Sequence, residues 1–348
     1  MERDESVRIA LAIGDAAGIS PELTAKLLAQ PDTIPMANIV VVGDARVLAD
    51  GARVAGVSLP SFVELKPGER LRFQPGRASL LDLGHLDPAA VKPGTATAAG
   101  GGFAMRNFRT ALELVRAGEV DAVCFTPFNK AALKLAGNPY DDELHFAADV
   151  LGHHGPSSEF NVLDKLWNAR VTSHVPLNKV SELLTIDSIV GALALTDECL
   201  RATGLPRPRI AVAALNPHAG DGGNFGREEI DVIAPAVAVA RSRRIAADGP
   251  FPADTVFLRA KNGAYDAVMT MYHDQGQIAM KLMGFERGVT VLGGLPAPIT
   301  TPAHGTAYDI AGKGVADVEA TRQAFRLACK MGAARRSARA PLAQTITN

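Results

Sequence analysis

The chain of 348 residues has only three cysteines, one tryptophan, 5% aromatic residues and a formal net charge of -1. Each scarcity removes a class of protein. Cys124, Cys199 and Cys329 are widely spaced, and each lies in an apolar or helix-like stretch where a free thiol acts as a small hydrophobe, which suits a reducing compartment. A charge near zero supplies no field to hold nucleic acid or an anionic membrane surface. The basic run Arg335, Arg336 and Arg339 stands near the C-terminus, and residues 336–348 read as a solvated, frayed tail. The apolar run from Ile9 to Ile13 is too short for a membrane span or a signal-peptide core, and acidic residues precede it. These absences point to a cytoplasmic protein with no nucleic-acid or membrane partner.

What is present is a 47% hydrophobic chain long enough for one large core or two joined ones. Short β-branched runs, at residues 7–13, 39–42, 122–125, 210–214 and 267–271, alternate with helix-length stretches at 20–28, 102–117, 188–203 and 230–242. That alternation predicts an α/β fold with a largely parallel sheet. The first helix has a marked start: Ser20 as cap, Pro21 where no N–H is needed, and Glu22 at the positive dipole end. The segment from Pro93 through Gly100, Gly101 and Gly102 reads as a glycine-rich loop or flexible joint.

The chemistry-bearing residues follow apolar runs. His174, His218 and His273 each stand just past one. In open α/β sheets ligands gather beyond the carboxyl ends of strands, so three imidazoles there can share one divalent ion and leave positions open for substrate oxygens. Three loop histidines bonded to backbone are the alternative. Imidazole favours zinc, cobalt, nickel or iron over magnesium. A second constellation runs from His304 to Asp317, where His304, Gly305, Thr306, Ala307, Asp309, Gly312 and Gly314 allow close backbone approach to an anionic nucleotide. The usual G-x-G-x-x-G fingerprint after the first strand is missing, and Gly14-Asp15-Ala16-Ala17-Gly18-Ile19-Ser20-Pro21-Glu22 stands in its place.

Taken in order, the segments 14–22, 215–221, Pro252-Ala253-Asp254-Thr255, 272–276 and 304–317 resemble the motifs of the 4-hydroxythreonine-4-phosphate dehydrogenase family. That family is related in fold to isopropylmalate and isocitrate dehydrogenases. The resemblance implies two α/β/α domains with a cleft between them: residues 1–130 with 290–335 carrying the NAD loop, and residues 131–289 carrying the metal ligands and dimer contacts. It maps metal ligands onto His174, His218 and His273, and a substrate-contacting lysine onto Lys281. It also implies a homodimer whose active site is shared between subunits. Zinc, or else cobalt, nickel, manganese or magnesium, would be the metal.

The resemblance thins at the substrate positions. Where the pyridoxal-pathway enzymes carry Gly-His-Thr-Glu this chain has Asp142-Glu143-Leu144-His145, and where they carry asparagine and arginine it has Thr290 and Ile299. Loss of a bidentate arginine beside acidic residues argues against a phosphate ligand. The sequence therefore favours the family branch that oxidises carboxylated aromatic cis-dihydrodiols of the terephthalate type, with Glu143, His145, Thr290 and Ile299 against the substrate. The alternative is 4-hydroxythreonine-4-phosphate dehydrogenase itself, and a further one is a metal- or ligand-binding protein without turnover. Either enzyme would pass hydride from a 3-hydroxy carboxylate to NAD and let the β-keto acid lose carbon dioxide. Lys281 would bind the carboxylate or assist proton transfer, and Asp254 would orient a water or the substrate hydroxyl.

Overall fold

Runs such as Ile39-Val40-Val41-Val42, apolar at consecutive positions, form strands covered on both faces, as parallel sheets require. In chain order the strands are β1 (Arg8–Ala12), β2 (Asn38–Gly43), β3 (Phe62–Leu65), β4 (Ala78–Asp82), β5 (Ala122–Phe125), β6 (Ser158–Leu163), β7 (Leu166–Arg170), β8 (Arg209–Ala213), β9 (Ala246–Phe251), β10 (Ala267–Thr270), β11 (Val289–Gly293) and β12 (Ile299–Pro302). The computed structural model describes residues 6–339. The chain divides into two compact units, Met1–Gly155 with Leu295–Asn348, and Pro156–Gly294. The expected α/β class is the observed one.

In the first unit the strand order is β3-β4-β2-β1-β5-β12, and every neighbouring pair is parallel. Helix Ala98–Arg116 packs on β1, β2 and β5, and helix Glu319–Arg339 packs on β12, β5 and β1. Phe103, Phe108 and Phe125 are fully buried between these layers, with the Phe108 and Phe125 rings 4.6 Å apart. Each such ring contributes about 1.5–3 kcal/mol by leaving water.

In the second unit the order is β11-β6-β7-β10-β8-β9. Its β11/β6 and β6/β7 pairs are antiparallel, whereas β7/β10, β10/β8 and β8/β9 are parallel. The carboxyl ends of β7, β10, β8 and β9 therefore line one edge of the sheet. The β6–β7 hairpin, turned at Asp164 with φ 54°, has no counterpart in the sequence-based reading. It buries Trp167 against Phe160 at 5.5 Å between ring centres.

Several expectations change here. The first unit runs on to Gly155 instead of 130, because helices Lys130–Leu135 and Glu143–Leu151 pack on helix Ala98–Arg116. Glu143 and His145 thus belong to the first unit. Strand β11, with Thr290, pairs with β6 and belongs to the second. Gly100, Gly101 and Gly102 form the first turns of a helix, with the Thr97 hydroxyl accepting from the Gly100 N–H at 3.1 Å. Ser20 is not the cap of the first helix. Its hydroxyl donates to the Pro127 carbonyl at 2.7 Å, and Ile19 holds the cap position. The basic run is no frayed tail over its described part: residues 336–339 continue helix Glu319–Arg339, and Arg335 donates to the Asp121 carbonyl at 2.9 Å. Burial pushes Arg335 down to about 10. Residues 340–348 lie outside the described residues.

Candidate active site

Histidines 174, 273 and 218 follow the carboxyl ends of β7, β10 and β8, three neighbouring parallel strands, and Asp254 follows β9 beside them in the first turn of helix Ala253–Lys261. This edge is where an open α/β sheet presents ligand-binding side chains. The strand ends are tied to one another. The Thr172 N–H and hydroxyl both donate to the Met271 carbonyl, at 3.1 and 2.8 Å. Gln275 accepts from the Met271 N–H and donates to the Ala214 carbonyl, each at 2.7 Å. One amide side chain thus joins the turn bearing His273 to the strand end that leads to His218.

The His174 and His273 rings are neighbours, tilted at 40° with centres 5.6 Å apart. Two imidazoles whose nitrogens lie about 2.0–2.1 Å from one ion, at a roughly tetrahedral angle, place their ring centres about 5 Å apart, so this pair suits a shared divalent cation. The His273 Nδ1 is 2.7 Å from the Asp274 carboxylate, a contact that orients a ligating imidazole. His218 does not complete the set: its ring neighbours Phe225 at 6.2 Å, and no three His, Cys, Asp or Glu side chains among the described residues come together as a ligand group.

The reason is the backbone. Every residue from His218 to Gly223 has positive φ, including the non-glycines His218 (52°), Ala219 (54°) and Asp221 (44°). Each non-glycine residue there costs about 1–2 kcal/mol. Glu229, 3% exposed, counters that cost at the root of the loop. Its carboxylate accepts from the Leu215 N–H (2.8 Å), the Asn216 N–H (2.7 Å) and the Asn216 Nδ2 (2.9 Å). Hydrogen bonds to a charged group contribute about 1.5–3 kcal/mol each, enough to offset the strain. Residues Glu229–Ile233 form a single π-helical turn, a distortion frequent at functional sites.

Lys281 is exposed on helix His273–Gly284, in the last turns of the helix that His273 begins. Thr290 is part-buried in β11 opposite Asn161.

In the first unit, the loop from His304 to Asp317 is docked on the segment that replaces the nucleotide fingerprint. The Ile19 N–H donates to the Thr306 carbonyl at 3.1 Å, and the Tyr308 hydroxyl donates to the buried Asp15 carboxylate. Burial raises both the Asp15 carboxyl and the Tyr308 phenol above their ordinary values. Lys26 donates to the Gly314 and Ala316 carbonyls at 2.9 and 2.7 Å, and to Glu22 at 2.8 Å. Glu22 accepts in turn from the Ala316 N–H at 2.7 Å, so it anchors this loop in addition to sitting at a helix start. Ala307, Gly312 and Gly314 have left-handed backbone at φ 43°, 77° and 73°. His304 and Asp309 stand at the loop surface, His304 with its Nδ1 donating to the Gly305 carbonyl at 3.0 Å. A cavity lined by Phe108, Phe128, Leu133, Phe146, Asp142 and Glu143 lies in the same unit. His145 folds back on Asp142, Nδ1 to Oδ1 at 2.7 Å.

Ile299 departs from its expected place. It is fully buried in β12, paired with Val123, and contributes to the core instead of facing a ligand. Its apolar character says nothing about substrate charge. Glu229, Gln275 and the Asp15–Tyr308 pair were not assigned roles from sequence. Glu229 and Gln275 carry no spacing signal, and Asp15 and Tyr308 are brought together by the fold alone.

Residues 35–328 match the family described as "Pyridoxal phosphate biosynthetic protein PdxA". The chain is 59% identical over 330 residues to "Putative 4-hydroxythreonine-4-phosphate dehydrogenase 2" of Rhizobium meliloti (strain 1021), covering 94% of each protein. It is 38% identical to the D-threonate 4-phosphate dehydrogenase of Salmonella typhimurium, covering 94% of this chain and 99% of that one. Among solved structures, 4-hydroxythreonine-4-phosphate dehydrogenase from Klebsiella pneumoniae superimposes with a TM-score of 0.82 at 38% identity, covering 94% of this chain and 98% of that one. These similarities overturn the aromatic dihydrodiol reading, because the relatives are named for phosphorylated substrates and the residue that had argued against phosphate, Ile299, is a core position.

Proposed function

We propose that this chain, which belongs to the PdxA family, is an NAD-dependent, divalent-metal-assisted dehydrogenase of a 4-phosphorylated hydroxy acid, of the kind named in its relatives. 4-Hydroxythreonine 4-phosphate and D-threonate 4-phosphate are the candidate substrates. The observation that carries the reading is the placement of His174, His273, His218 and Asp254 past the carboxyl ends of four adjacent parallel strands. Only His174 and His273 stand together, 5.6 Å between ring centres, and imidazole nitrogens of that kind would suit zinc, cobalt or nickel better than manganese or magnesium.

NAD would supply the hydride acceptor for the carbinol carbon, and a divalent cation held by His174 and His273 would supply the charge that polarises its oxygen. Both candidates carry the carboxylate on the carbon next to the carbinol carbon, so the oxidised product would be a β-keto acid able to release carbon dioxide. Asp254 orients the hydroxyl that is oxidised. Lys281 meets the negative charge of the substrate and is a proton carrier for the carbon left after decarboxylation. Thr290, in the same unit as the histidines, contacts the remainder of the substrate. The loop bearing His304, Gly305, Thr306, Ala307, Asp309, Gly312 and Gly314 holds the dinucleotide, its left-handed glycines admitting the backbone close to the ligand.

The enzyme acts in the cytoplasm as a homodimer with a shared active site. Supporting the first point, no helix among the described residues is long and apolar enough to cross a membrane, and the three cysteines are free and buried, each thiol pushed up to about 12 by burial. Supporting the second, Leu177, Leu258, Ile278 and Leu282 of the second unit are 61–84% exposed, and Ile278 and Leu282 share one face of helix His273–Gly284. The test is NADH absorbance and carbon dioxide release when each candidate is supplied with NAD and Co²⁺, Zn²⁺ or Mg²⁺. Absence of NADH from both substrates with every cation overturns the proposal.

A further inference from the structure

We infer that Tyr308 is a positioning residue for the dinucleotide loop, its hydroxyl fastening the left-handed turn at Ala307 to the buried Asp15 carboxylate. The inference rests on the reading of residues 304–317 as the loop that holds NAD. Three observations within the first unit converge on this tyrosine. The first is the turn itself, where Ala307, a residue with a Cβ, is held at φ 43°. A side chain makes that region costly, so the residues on either side must be fixed for it to persist. On the near side Thr306 is fixed. Its carbonyl accepts from the Ile19 N–H at 3.1 Å, its hydroxyl accepts from the Asn129 Nδ2 at 3.4 Å, and a Cβ at Gly18 would fall 2.7 Å from the Thr306 Cβ. On the far side the anchor is Tyr308.

The second observation is how Asp15 divides its two oxygens. The residue is fully buried shortly past β1, and its N–H donates to the Pro127 carbonyl at 3.0 Å. Its Oδ1 accepts from the Ala17 N–H at 3.0 Å, which closes the local turn, and its Oδ2 accepts from the Tyr308 hydroxyl, 293 residues away in sequence. A carboxylate needed only for the turn would use Oδ1 alone. The third observation is the seat of the tyrosine backbone. The Gly94 N–H donates to the Ala17 carbonyl at 2.8 Å, and a Cβ at Gly94 would come 2.8 Å from the Tyr308 carbonyl, so the chain there packs closely over the turn. Ala307 and Ile310 also pack on Ile19 and Leu23, but apolar contact is non-directional and does not by itself set a turn. Further on, Lys26 and Glu22 hold Gly314 and Ala316. Gly305, by contrast, has open space where a Cβ would stand, a side from which a ligand can approach. The phenol therefore sets the course of the loop between Ala307 and Gly314, the stretch that contains Asp309 and Gly312.

Tyr308→Phe removes one oxygen and keeps the ring. Loss of the hydroxyl strips the Asp15 Oδ2 of its donor and lowers Tm whichever role Tyr308 has, so the deciding measurement is the NADH affinity of the folded protein. Fluorescence titrations with NADH compare wild type, Gly312→Val and Tyr308→Phe, each full-length and checked by far-UV circular dichroism. The expected result is about tenfold weaker NADH binding in Tyr308→Phe with an unchanged dichroism spectrum, the size of one hydrogen bond to a charged group. Affinity equal to wild type in Tyr308→Phe, with Gly312→Val weakened, overturns the inference and leaves the cofactor loop standing. A wild type that binds no NADH, or a Gly312→Val protein that binds it as tightly as wild type, overturns the loop reading and this inference with it. If Tyr308→Phe does not fold, Asp15→Asn carries the test, since its amide keeps an acceptor for the Ala17 N–H and turns an N–H₂ toward the phenol. Undiminished NADH affinity in that variant overturns the inference.

Discussion

The second unit keeps Asp164, His218, Ala219, Asp221 and Arg244 at positive φ, whereas the first has only Ala307 among its described non-glycine residues. The two differ equally in surface. Leu177, Phe225, Leu258, Ile278 and Leu282 of the second unit are left exposed, against Leu135 and Val315 in the first. The first unit has an all-parallel sheet with its apolar runs covered on both faces. Strain and uncovered apolar surface collect in the unit that carries the histidines. Residues held in uncommon backbone conformations persist where surrounding structure overdetermines them, and they concentrate at ligand sites.

The sharpest way to break this comparison is to remove a histidine from the strained loop. His218→Ala should lower turnover about 10³-fold, because polarisation by a metal ion is worth several kcal/mol of barrier, while thermal unfolding shifts little. Steady-state kinetics in metal-stripped buffer showing near-normal rates would remove the functional meaning of the strain. Next in size is the apolar surface. Ile278→Asp with Leu282→Asp, on one face of helix His273–Gly284, should weaken self-association about a hundredfold in sedimentation analysis, since each replaces apolar area with a charge. A double variant as dimeric as the parent would show that this face lies outside the contact.

A smaller effect is expected in the first unit's loop. Gly312→Val forces a β-branched residue into φ 77°, at a cost of about 1–2 kcal/mol, so NADH affinity should fall about tenfold. Fluorescence titration with an unchanged dissociation constant in a folded variant would detach this loop from the cofactor.

The smallest effect concerns acid. Burial alone would raise the Asp44 carboxyl, but hydrogen bonds from Arg46 and from the Leu86 N–H hold it at about 2. Asp32, beside Arg322 and Arg326, also stands at about 2. A folded value below the ordinary 3.8 means that the stabilisation is complete above that pH and is lost as pH falls through about 2. Asp44→Asn should therefore cost about 1–2 kcal/mol at neutral pH and flatten the loss of stability between about pH 4 and 2. Denaturant melts across that range check it, and an unaltered slope would refute the assignment to Asp44.

How much of this was readable beforehand depends on where the information lies along the chain. Strand runs at 7–13, 39–42 and 122–125 declare themselves by short, largely apolar stretches, and β1, β2 and β5 occupy them within a residue or two. The β6–β7 hairpin does not, because Ser158–Leu163 and Leu166–Arg170 mix buried and polar side chains and turn at an aspartate with left-handed backbone. The glycines at 100–102 look like a loop, yet helix Ala98–Arg116 includes them. A Cβ at Gly101 would fall 2.0 Å from the Ala132 carbonyl, so close helix packing requires the residue there. Ile299 was read as a binding residue because a motif comparison aligns positions without their burial.

By itself the sequence determined the α/β class, the order of the motifs, the histidines past the strand ends and the family, because these depend on residue type and local periodicity. Only the tertiary structure decided which of those residues meet. Gly14 to Glu22 and His304 to Asp317 are joined by the Ile19, Tyr308, Lys26 and Glu22 contacts across nearly the whole chain length, and His174 stands against His273 because β7 and β10 are neighbours in the sheet. The same holds for Glu229 and the left-handed loop. Contacts of that range are set by sheet order and by which backbone N–H groups lack a partner within their own element, and neither can be read from a residue's neighbours in sequence.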